Sequence, residues 1–486
     1  MPTLPEASAQ SAAPAPLPHA QASNQRRLMV GLVAGAMVMA LDFFVVLACL
    51  PTIQQSLGAT TAQVQWVMAA YAAANGSFLI LGGRLGDLLG RRRVFLWGLG
   101  GFTASALACS LASSPNELVV FRVLQGLSGA LLQPQVLGLM SINFEGERRQ
   151  QAFGRYGAGM GLAGIGAQIL AGSLLQWLPL DTGWRVCFLL STPLCALAAW
   201  GAMRAMEGPR ATSRSVDLVG ALLLAATLGC LGGFLTVIRE AHSARSVMLM
   251  LIAGFGSALV FGAWIQQGRR SGAARIIPAG VLATNEFAYW LAKIILFYGG
   301  VASLYFVLAL ELRTAAGFSP MQVGLYFALL GACFAATSSA VHLRRHLGER
   351  WASVGIVVLL SGHTLMLLAS IQPAPVSQAL LFALSCATQG TGIGLILAPL
   401  MEKTIARAAK GAASVGSGMA ASAQQMGNSI GICLIGIAYF APASSGAPLH
   451  SLHGLPGAVA YLNLLLLTLA MTFALDRRRP RVTVTQ

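Results

Sequence analysis

Windows of about 20 apolar residues recur along the whole of this 486-residue chain, each long enough to cross a bilayer core as a helix. That feature leaves few folds open. In hydrocarbon every backbone N–H and C=O must find its partner within the protein, so only helices and closed barrels span. No run alternates in the manner of a membrane barrel strand, so helices are expected. Composition agrees: 56% of residues are hydrophobic and 9% charged, where soluble domains carry about 25% charged. The chain reads as an all-α polytopic membrane protein. Fourteen spans are expected, at about 28–50, 64–83, 94–112, 117–140, 154–178, 184–204, 217–238, 246–266, 285–310, 321–341, 351–371, 377–400, 414–440 and 457–475.

The net charge of +16 is explained by where it lies. Basic clusters are short and follow helix ends: "GRRR" 90–93, "ERR" 147–149, "RR" 269–270, "RR" 344–345 and "DRRRPR" 476–481. With the N-terminus inside, these spans put most Lys and Arg on the cytoplasmic side, as the positive-inside rule requires. Both termini are then cytoplasmic. The clusters also attract anionic lipid weakly, and no nucleic-acid partner is expected. Ala- and Gly-rich spans with short loops are associated with a bacterial cytoplasmic (inner) membrane.

The eight cysteines (Cys49, Cys109, Cys187, Cys195, Cys230, Cys333, Cys386, Cys433) fall inside expected spans without metal-ligand spacing. They read as small apolar fillers, and no metal site is expected. The first 25 residues are rich in Ala, Pro and Ser, with no basic start or apolar core. They read as a disordered tail rather than a cleaved signal.

A repeat sets the architecture. "TAQVQWVMAAYAAANGSFLILGGRLGDLLGRRR" at 61–93 is echoed by "PMQVGLYFALLGACFAATSSAVHLRRHLGERW" at 320–351. "YGAGMGLAG" at 156–164 is echoed by "VGSGMAASA" at 415–423, at the same offset of about 259 residues. Two related six-helix bundles are expected at 28–204 and 285–475, as in transporters whose halves rock about a central site. Residues 205–284 then hold linkers and two additional helices, whose simplest role is a spacer on the bundle periphery. Residues 1–27 and 476–486 are cytoplasmic tails.

The loop "GGRLGDLLGRRR" 82–93 joins the second and third spans. Gly83, Gly86 and Gly90 permit a tight turn, and Asp87 can accept backbone N–H groups or pair with Arg91 or Arg92. The loop resembles the signature of the major facilitator superfamily, Gly-x-x-x-Asp-(Arg/Lys)-x-Gly-(Arg/Lys)-(Arg/Lys). Gly83, Asp87, Gly90, Arg91 and Arg92 match, and Leu88 departs where the family has a cation. The resemblance implies a cytoplasmic gating loop that latches the outward-open state.

Three further stretches resemble the fourteen-helix drug:proton antiporter branch. "LDFFVVLACLP" 41–51 is similar to the first-helix motif Leu-Asp-x-Thr-Val-Val-Asn-Val-Ala-Leu-Pro, with Phe44 for Thr and Leu47 for Asn. "FRVLQGLSGA" 121–130 matches the fourth-helix pattern through Arg122, Gln125, Gly126 and Gly129. "GAQILAGSLL" 166–175 stands where antiporters carry Gly-Pro-x-x-Gly-Gly, but Gln168 replaces the Pro and of the final glycines only Gly172 survives. "WRVCFLLSTP" 184–193 is also similar to the sixth-helix start. What the resemblance implies is a secondary transporter that exports drugs against protons.

Asp42 is the one acid expected deep within a span. It lies about nine residues from the outward end of its expected helix, so about 13 Å deep. Arg122 enters from the same side, about 8 Å down, and the family fold implies that their helices are neighbours. An unpaired charge at that depth costs several kcal/mol, so pairing or neutralisation is nearly forced. A guanidinium favours the ionised carboxylate and burial favours the neutral one, and a site balanced between them can carry a proton. A static salt bridge that only fixes packing is the alternative. Asp217, Glu286, Glu311 and Glu402 all lie at expected helix ends.

Lys293 lies about eight residues into the ninth span, on the face of Glu286, and either snorkels to the interface or meets an anionic group of the cargo. Polar residues costly in lipid are expected to face inward: Asn75, Gln125, Gln133, Gln135, Gln168, Gln389, Gln424, Gln425 and Asn428. Trp66, Tyr71, Tyr298, Tyr305 and Tyr326 are the aromatic candidates. Such linings suit a neutral, monocationic or weakly acidic lipophilic small molecule.

The leading expectation is proton-coupled efflux by a monomer with no cofactor beyond the proton gradient. Proton-coupled uptake on the same scaffold is the alternative. A membrane-embedded enzyme is disfavoured, because the seven histidines do not cluster with buried acids and only His363 falls within a span. No Gly-x-x-x-x-Gly-Lys loop suggests a nucleotide-driven pump.

Overall fold

The computed structural model describes residues 19–203, 205–206, 217–239, 244–271, 285–340, 346–405, 407, 413–440 and 454–478. Most of the linkers expected at 206–215 and 266–280, the basic pair at 344–345 and the tails 1–18 and 479–486 lie outside them. The described residues form helices and no strand. In chain order these are α1 (His19–Leu57), α2 (Thr61–Leu89), α3 (Arg91–Leu111), α4 (Pro115–Asn143), α5 (Gly146–Trp177) and α6 (Leu180–Ala202, turning at Leu190). Then come α7 (Leu218–Arg239), α8 (Ala244–Ser271), α9 (Asn285–Leu310), α10 (Pro320–Ser339), α11 (Trp351–Ser370), α12 (Pro375–Ile405), α13 (Ala413–Phe440) and α14 (Leu455–Arg478). Ten helices among the described residues are long and apolar enough to cross a membrane.

One expectation fails at the start of the chain. Residues 19–25 continue α1 and are not part of a disordered tail. The run "HAQASNQRR" contains no Gly or Pro, so the helix nucleated in the apolar segment extends backwards through it.

Local chemistry explains the sequence repeat. α2 and α10 both start with a capping box, Thr60 with Gln63 and Ser319 with Gln322, in which side chain and backbone satisfy each other's free groups. The repeated Gln-Val is therefore a helix-start device. Gly58 and Gly317 precede these caps at φ 60° and 71°, and Gly90 and Gly348 follow the same helices in turns at φ 100° and 49°. Side chains with a Cβ avoid that region, so glycine recurs at the repeat offset.

Glycine also lets helices touch backbone to backbone. A Cβ on Gly126 of α4 would meet the Tyr71 carbonyl of α2, and one on Gly390 of α12 would meet the Leu330 carbonyl of α10. The halves repeat that contact. Gly82 on Ala130 and Gly31 on Gly201 do the same inside the first bundle.

The α2–α3 turn, the start of α9 and the start of α11 lie at one end of the molecule, called here the basic face. The α1–α2 and α9–α10 turns lie at the far face. The halves meet along two seams, α2 with α13 and α5 with α10. Among the described residues, the contacts of both seams run from mid-helix toward the far face. Gln65 packs on Gly436, Ser429 bonds Ala69, Gly172 meets Pro320, and Gln168 meets Gly324. Toward the basic face, Gly154, Gly157 and Gly161 of α5 and Gly418 of α13 face open space. Among the described residues, contacts between the halves thus thin out toward the basic face.

α7 and α8 lean on the α2–α13 seam. Leu224 and Phe261 pack with Ala73 of α2 and with Met426 and Ile430 of α13, while Phe261 and Ile265 cover Leu81. Their outer surface, with Met248, Leu249, Ile252 and Phe255, is exposed, as a lipid-facing helix requires. The pair is peripheral, yet it touches both halves.

Gly82→Leu should force α2 away from α4 and lower stability by about 1–3 kcal/mol. Gly100→Leu, whose Cβ enters open space, should leave the melting temperature in detergent within error. The pair shares one propensity change, so their difference isolates the packing.

Candidate functional site

Sequence reading ended the first helix near Pro51, but α1 runs through that proline to Leu57. Proline is tolerated there because neighbouring groups re-satisfy the freed carbonyl. Asp42 therefore stands fifteen residues, or about 23 Å, from the end of its helix. Arg122 stands two turns into α4, whose start is fixed by Ser114 accepting from the Glu117 N–H at 3.3 Å and by Pro115 in the first turn.

The two side chains meet. Arg122 Nη1 donates to Asp42 Oδ2 at 2.8 Å, with exposures of 0% and 2%. Gln125, one turn on from Arg122, donates from Nε2 to Asp42 Oδ1 at 2.8 Å and accepts from Arg122 Nη1 at 2.7 Å. Arg122 Nε donates to the Val67 carbonyl of α2 at 3.0 Å, and its guanidinium lies 4.2 Å from the Tyr71 ring. Arg122 Nη2 has no hydrogen-bond partner. Two helices therefore supply the triangle, in which both carboxylate oxygens accept and one cation balances the charge, and α2 holds the guanidinium from a third side. A buried carboxylate held this way is satisfied as an anion. Adding a proton to it would remove one acceptor and release a donor.

The other expected residues divide by location. Asn75, Gln425 and Asn428 come together across the α2–α13 seam. Gln168 of α5 donates to the Phe44 carbonyl of α1 at 3.0 Å beside the α5–α10 seam. Phe44 and Tyr305 face each other across the halves with ring centroids 5.7 Å apart, and Tyr298 is half-buried against Phe297. Trp66, Gln133 and Gln424 are half-buried.

Four residues lie inside a bundle. Gln135 donates to the Gly82 carbonyl at 2.7 Å. Gln389 bonds Ser385 at 2.9 Å, and Tyr326 donates to the Ala379 carbonyl at 3.1 Å. Lys293 is 1% exposed with Nζ 4.1–4.5 Å from the rings of Trp290, Tyr289 and Phe473. That cage looks toward α14, and Glu286 pairs instead with Arg407 at 2.6 Å.

The gating-loop residues are also assembled. Asp87 accepts from Arg91 at 2.5 Å, and Arg91 reaches the Pro134 carbonyl of α4 at 3.4 Å. Gly83 faces Pro134, Gly90 forms the turn, and Arg92 is half-buried.

Glu311 is a residue that sequence reading missed. Placed at a helix end, it is in fact 3% exposed and accepts from the Tyr439 hydroxyl at 3.0 Å. The helix does not stop at Leu310 but continues as a π turn over Glu311–Ala315, which carries the acid inside. His363, expected to be a satisfied core residue, bonds Asn463 at 2.8 Å.

Breaking the ion pair from one side should cost about 3–5 kcal/mol, because a buried charge is left uncompensated. Asp42→Leu alone should therefore melt well below the wild type. The double variant Asp42→Leu, Arg122→Met should recover most of that loss in a thermal unfolding assay.

Comparison with known proteins agrees with this geometry. Residues 32–432 match the Major Facilitator Superfamily family model. The chain is 32% identical to the "Probable actinorhodin transporter" of Streptomyces coelicolor, over 87% of this chain and 74% of that one. It is also 32% identical to "Puromycin resistance protein pur8" of Streptomyces alboniger, over 96% and 94%. The "Tetracenomycin C resistance and export protein" of Streptomyces glaucescens is 28% identical over 87% and 78%. Among solved structures, the POT family transporter PepTSo aligns with TM-score 0.67 at 14% identity, over 93% of this chain and 99% of that one. A bacterial homologue of the human lysosomal transporter Spinster aligns at 0.64 and 16%, over 94% and 97%; likenesses this distant bear on fold alone. This chain is a multi-pass membrane protein of the Major Facilitator Superfamily, a transporter and not an enzyme.

Proposed function

We propose that the protein exports a lipophilic or amphipathic small molecule, such as an antibiotic, drug or secondary metabolite, in exchange for protons. It does so by alternating access from the bacterial cytoplasmic membrane, with the basic face and both termini in the cytoplasm. In this reading all fourteen helices cross the bilayer. The proton gradient is its energy source, and the monomer is the working unit.

The carrying observation is Asp42, a deep carboxylate whose two oxygens are held by one cation and one amide. The triangle can be opened by moving a single guanidinium. When α4 or α2 shifts, Arg122 can withdraw from Asp42 while keeping the Val67 carbonyl, and the freed carboxylate takes a proton. Protonation and the docked arginine exclude each other. That exclusion is what exchange demands: a proton bound in one conformation and released in the other. The basic face is then the cargo entrance, and Phe44 and Tyr305 form an aromatic roof over a vestibule between the halves.

Cargo class follows from what the vestibule offers. Asp42 is already neutralised by Arg122, and Lys293 is caged away from the α2–α13 seam, so the lining gives aromatic rings, Met37 and amides rather than free charge. A cargo with extended apolar or ring surface suits it. The names of the relatives, which are drug resistance and antibiotic export proteins, support this reading.

Inverted vesicles carrying the full chain, with an acidic lumen, should accumulate puromycin or tetracenomycin C and lose lumenal protons on its addition. Asp42→Asn should insert normally yet lower gradient-driven accumulation at least about tenfold, the loss of a mechanism rather than of binding. Undiminished accumulation by that variant would remove Asp42 from the proton path. Cargo movement in the direction of the proton gradient would make the protein a symporter.

A further inference from the structure

Among the described residues, direct side-chain hydrogen bonds between the halves concentrate at mid-membrane on the α2–α13 seam. Gln425 Nε2 donates to Asn75 Oδ1 at 3.2 Å, and Asn428 Nδ2 donates to Gln425 Oε1 at 2.9 Å. Asn75 is itself oriented from behind, its Nδ2 donating to the Gly126 carbonyl of α4 at 3.4 Å. One turn toward the far face, Ser429 Oγ donates to the Ala69 carbonyl at 3.1 Å. All four polar residues are buried, Asn75 completely.

Two further observations show that α13 is held at this point and not below it. Gly76, next to Asn75, leaves room for α13: a Cβ there would lie 2.9 Å from Gln425 Cβ. Beyond Gly76, toward the basic face, Phe78, Ile80, Leu81 and Leu85 pack on Phe261 and Ile265 of α8. Among the described residues, the clasp is thus the polar contact of this seam nearest the basic face.

We infer that the Asn75–Gln425–Asn428 clasp is the latch that holds the far face closed, and that Asn75 is a positioning residue for the conformational cycle. This rests on reading the protein as an alternating-access transporter, but not on the role given to Asp42. Opening the far face must pull α13 from α2, and that parts the Gln425–Asn75 pair at a depth where lipid offers no partner, while the Asn428 bond within α13 keeps Gln425 oriented. The closed state keeps that pair joined. Interhelical hydrogen bonds in membranes are individually modest, so the latch biases an equilibrium and does not lock it. Gly126 is one turn from Arg122, and Val67 and Ala69 are two residues apart. The latch and the Asp42 triangle therefore bond to the same stretch of α2.

The test is a distance measurement on the full chain in lipid nanodiscs. Spin labels introduced through an unnatural amino acid at the exposed positions Gln55 and Ala315 report separation of the far ends of α1 and α9, with the native cysteines untouched. Wild type should show a dominant short distance. Asn75→Leu and Gln425→Leu should each raise the ratio of long to short distance about three- to tenfold. The exchanged pair Asn75→Gln, Gln425→Asn should restore it, which a merely space-filling role would not do. Asn428→Ala removes only one bond and should shift the ratio in the same direction by less, so it serves if the Leu variants do not fold. Unchanged distances in Asn428→Ala and in any Leu variant that folds would overturn the latch. Absence of cargo transport by wild type in vesicles, with the distance shifts present, would instead overturn the proposed function and leave the latch standing.

Discussion

A charge cannot be left alone in hydrocarbon, and the first bundle is organised around that constraint. Asp42 is 2% exposed, some 23 Å from the end of its helix. Its partners must come from other helices, in fixed positions. Arg122 reaches it only because α4 lies directly on α2, and α4 lies there because Gly82 and Gly126 present bare backbone to Ala130 and Tyr71. Glycine packing and charge burial are thus one arrangement. The same closeness places the Val67 carbonyl on Arg122 Nε, so the guanidinium is positioned by α2 as well as by the acid.

The second bundle repeats the scaffold without the charge. Gly390 approaches Leu330 as Gly126 approaches Tyr71, and both α2 and α10 begin with capping boxes. Where the first half holds an ion pair, the second holds a neutral hydroxyl and amide, Ser385 and Gln389, against the Gly362 carbonyl. The Asp42–Arg122 pair thus has no charged counterpart at this matching place, and the buried Lys293 and Glu311 of the second half lie elsewhere. That asymmetry suits a machine in which a change at one point must move one bundle against the other.

Much of this was legible in the sequence because membrane folding leaves few choices. Helix positions followed from apolar length, and the two-bundle plan from an offset shared by Gln63 and Gln322. Those residues recur for a reason that can be named, the capping of a helix start at the membrane edge. Asp42 and Arg122 could be paired in advance because burial cost calls for pairing or neutralisation and the family resemblance implies that their helices are neighbours. Less visible was anything that depends on where a helix stops. Pro51 and Leu310 looked like ends and are not, so the length of α1 and the burial of Glu311 were both misjudged. Lys293 shows a second limit: its spacing from Glu286 is helical, but its neighbours come from α14, which no local pattern announces. Amides could be listed as inward-facing, yet their sorting into Gln389 within a bundle and Gln425 across the halves needed three dimensions.

The helix pair α7–α8 has a mechanical corollary. Because Leu224 and Phe261 rest on Ala73 of one half and Met426 of the other, the two bundles are not a hinge with both edges free. Among the described side chains, that edge is braced by Leu, Phe, Met and Ile contacts that can slide, beside the hydrogen bonds of the α2–α13 seam itself. The opposite edge, where α5 meets α10, has no such brace among the described residues. Rotation between the halves must therefore be lopsided, pivoting nearer the supported margin and sweeping through a wider arc at the other.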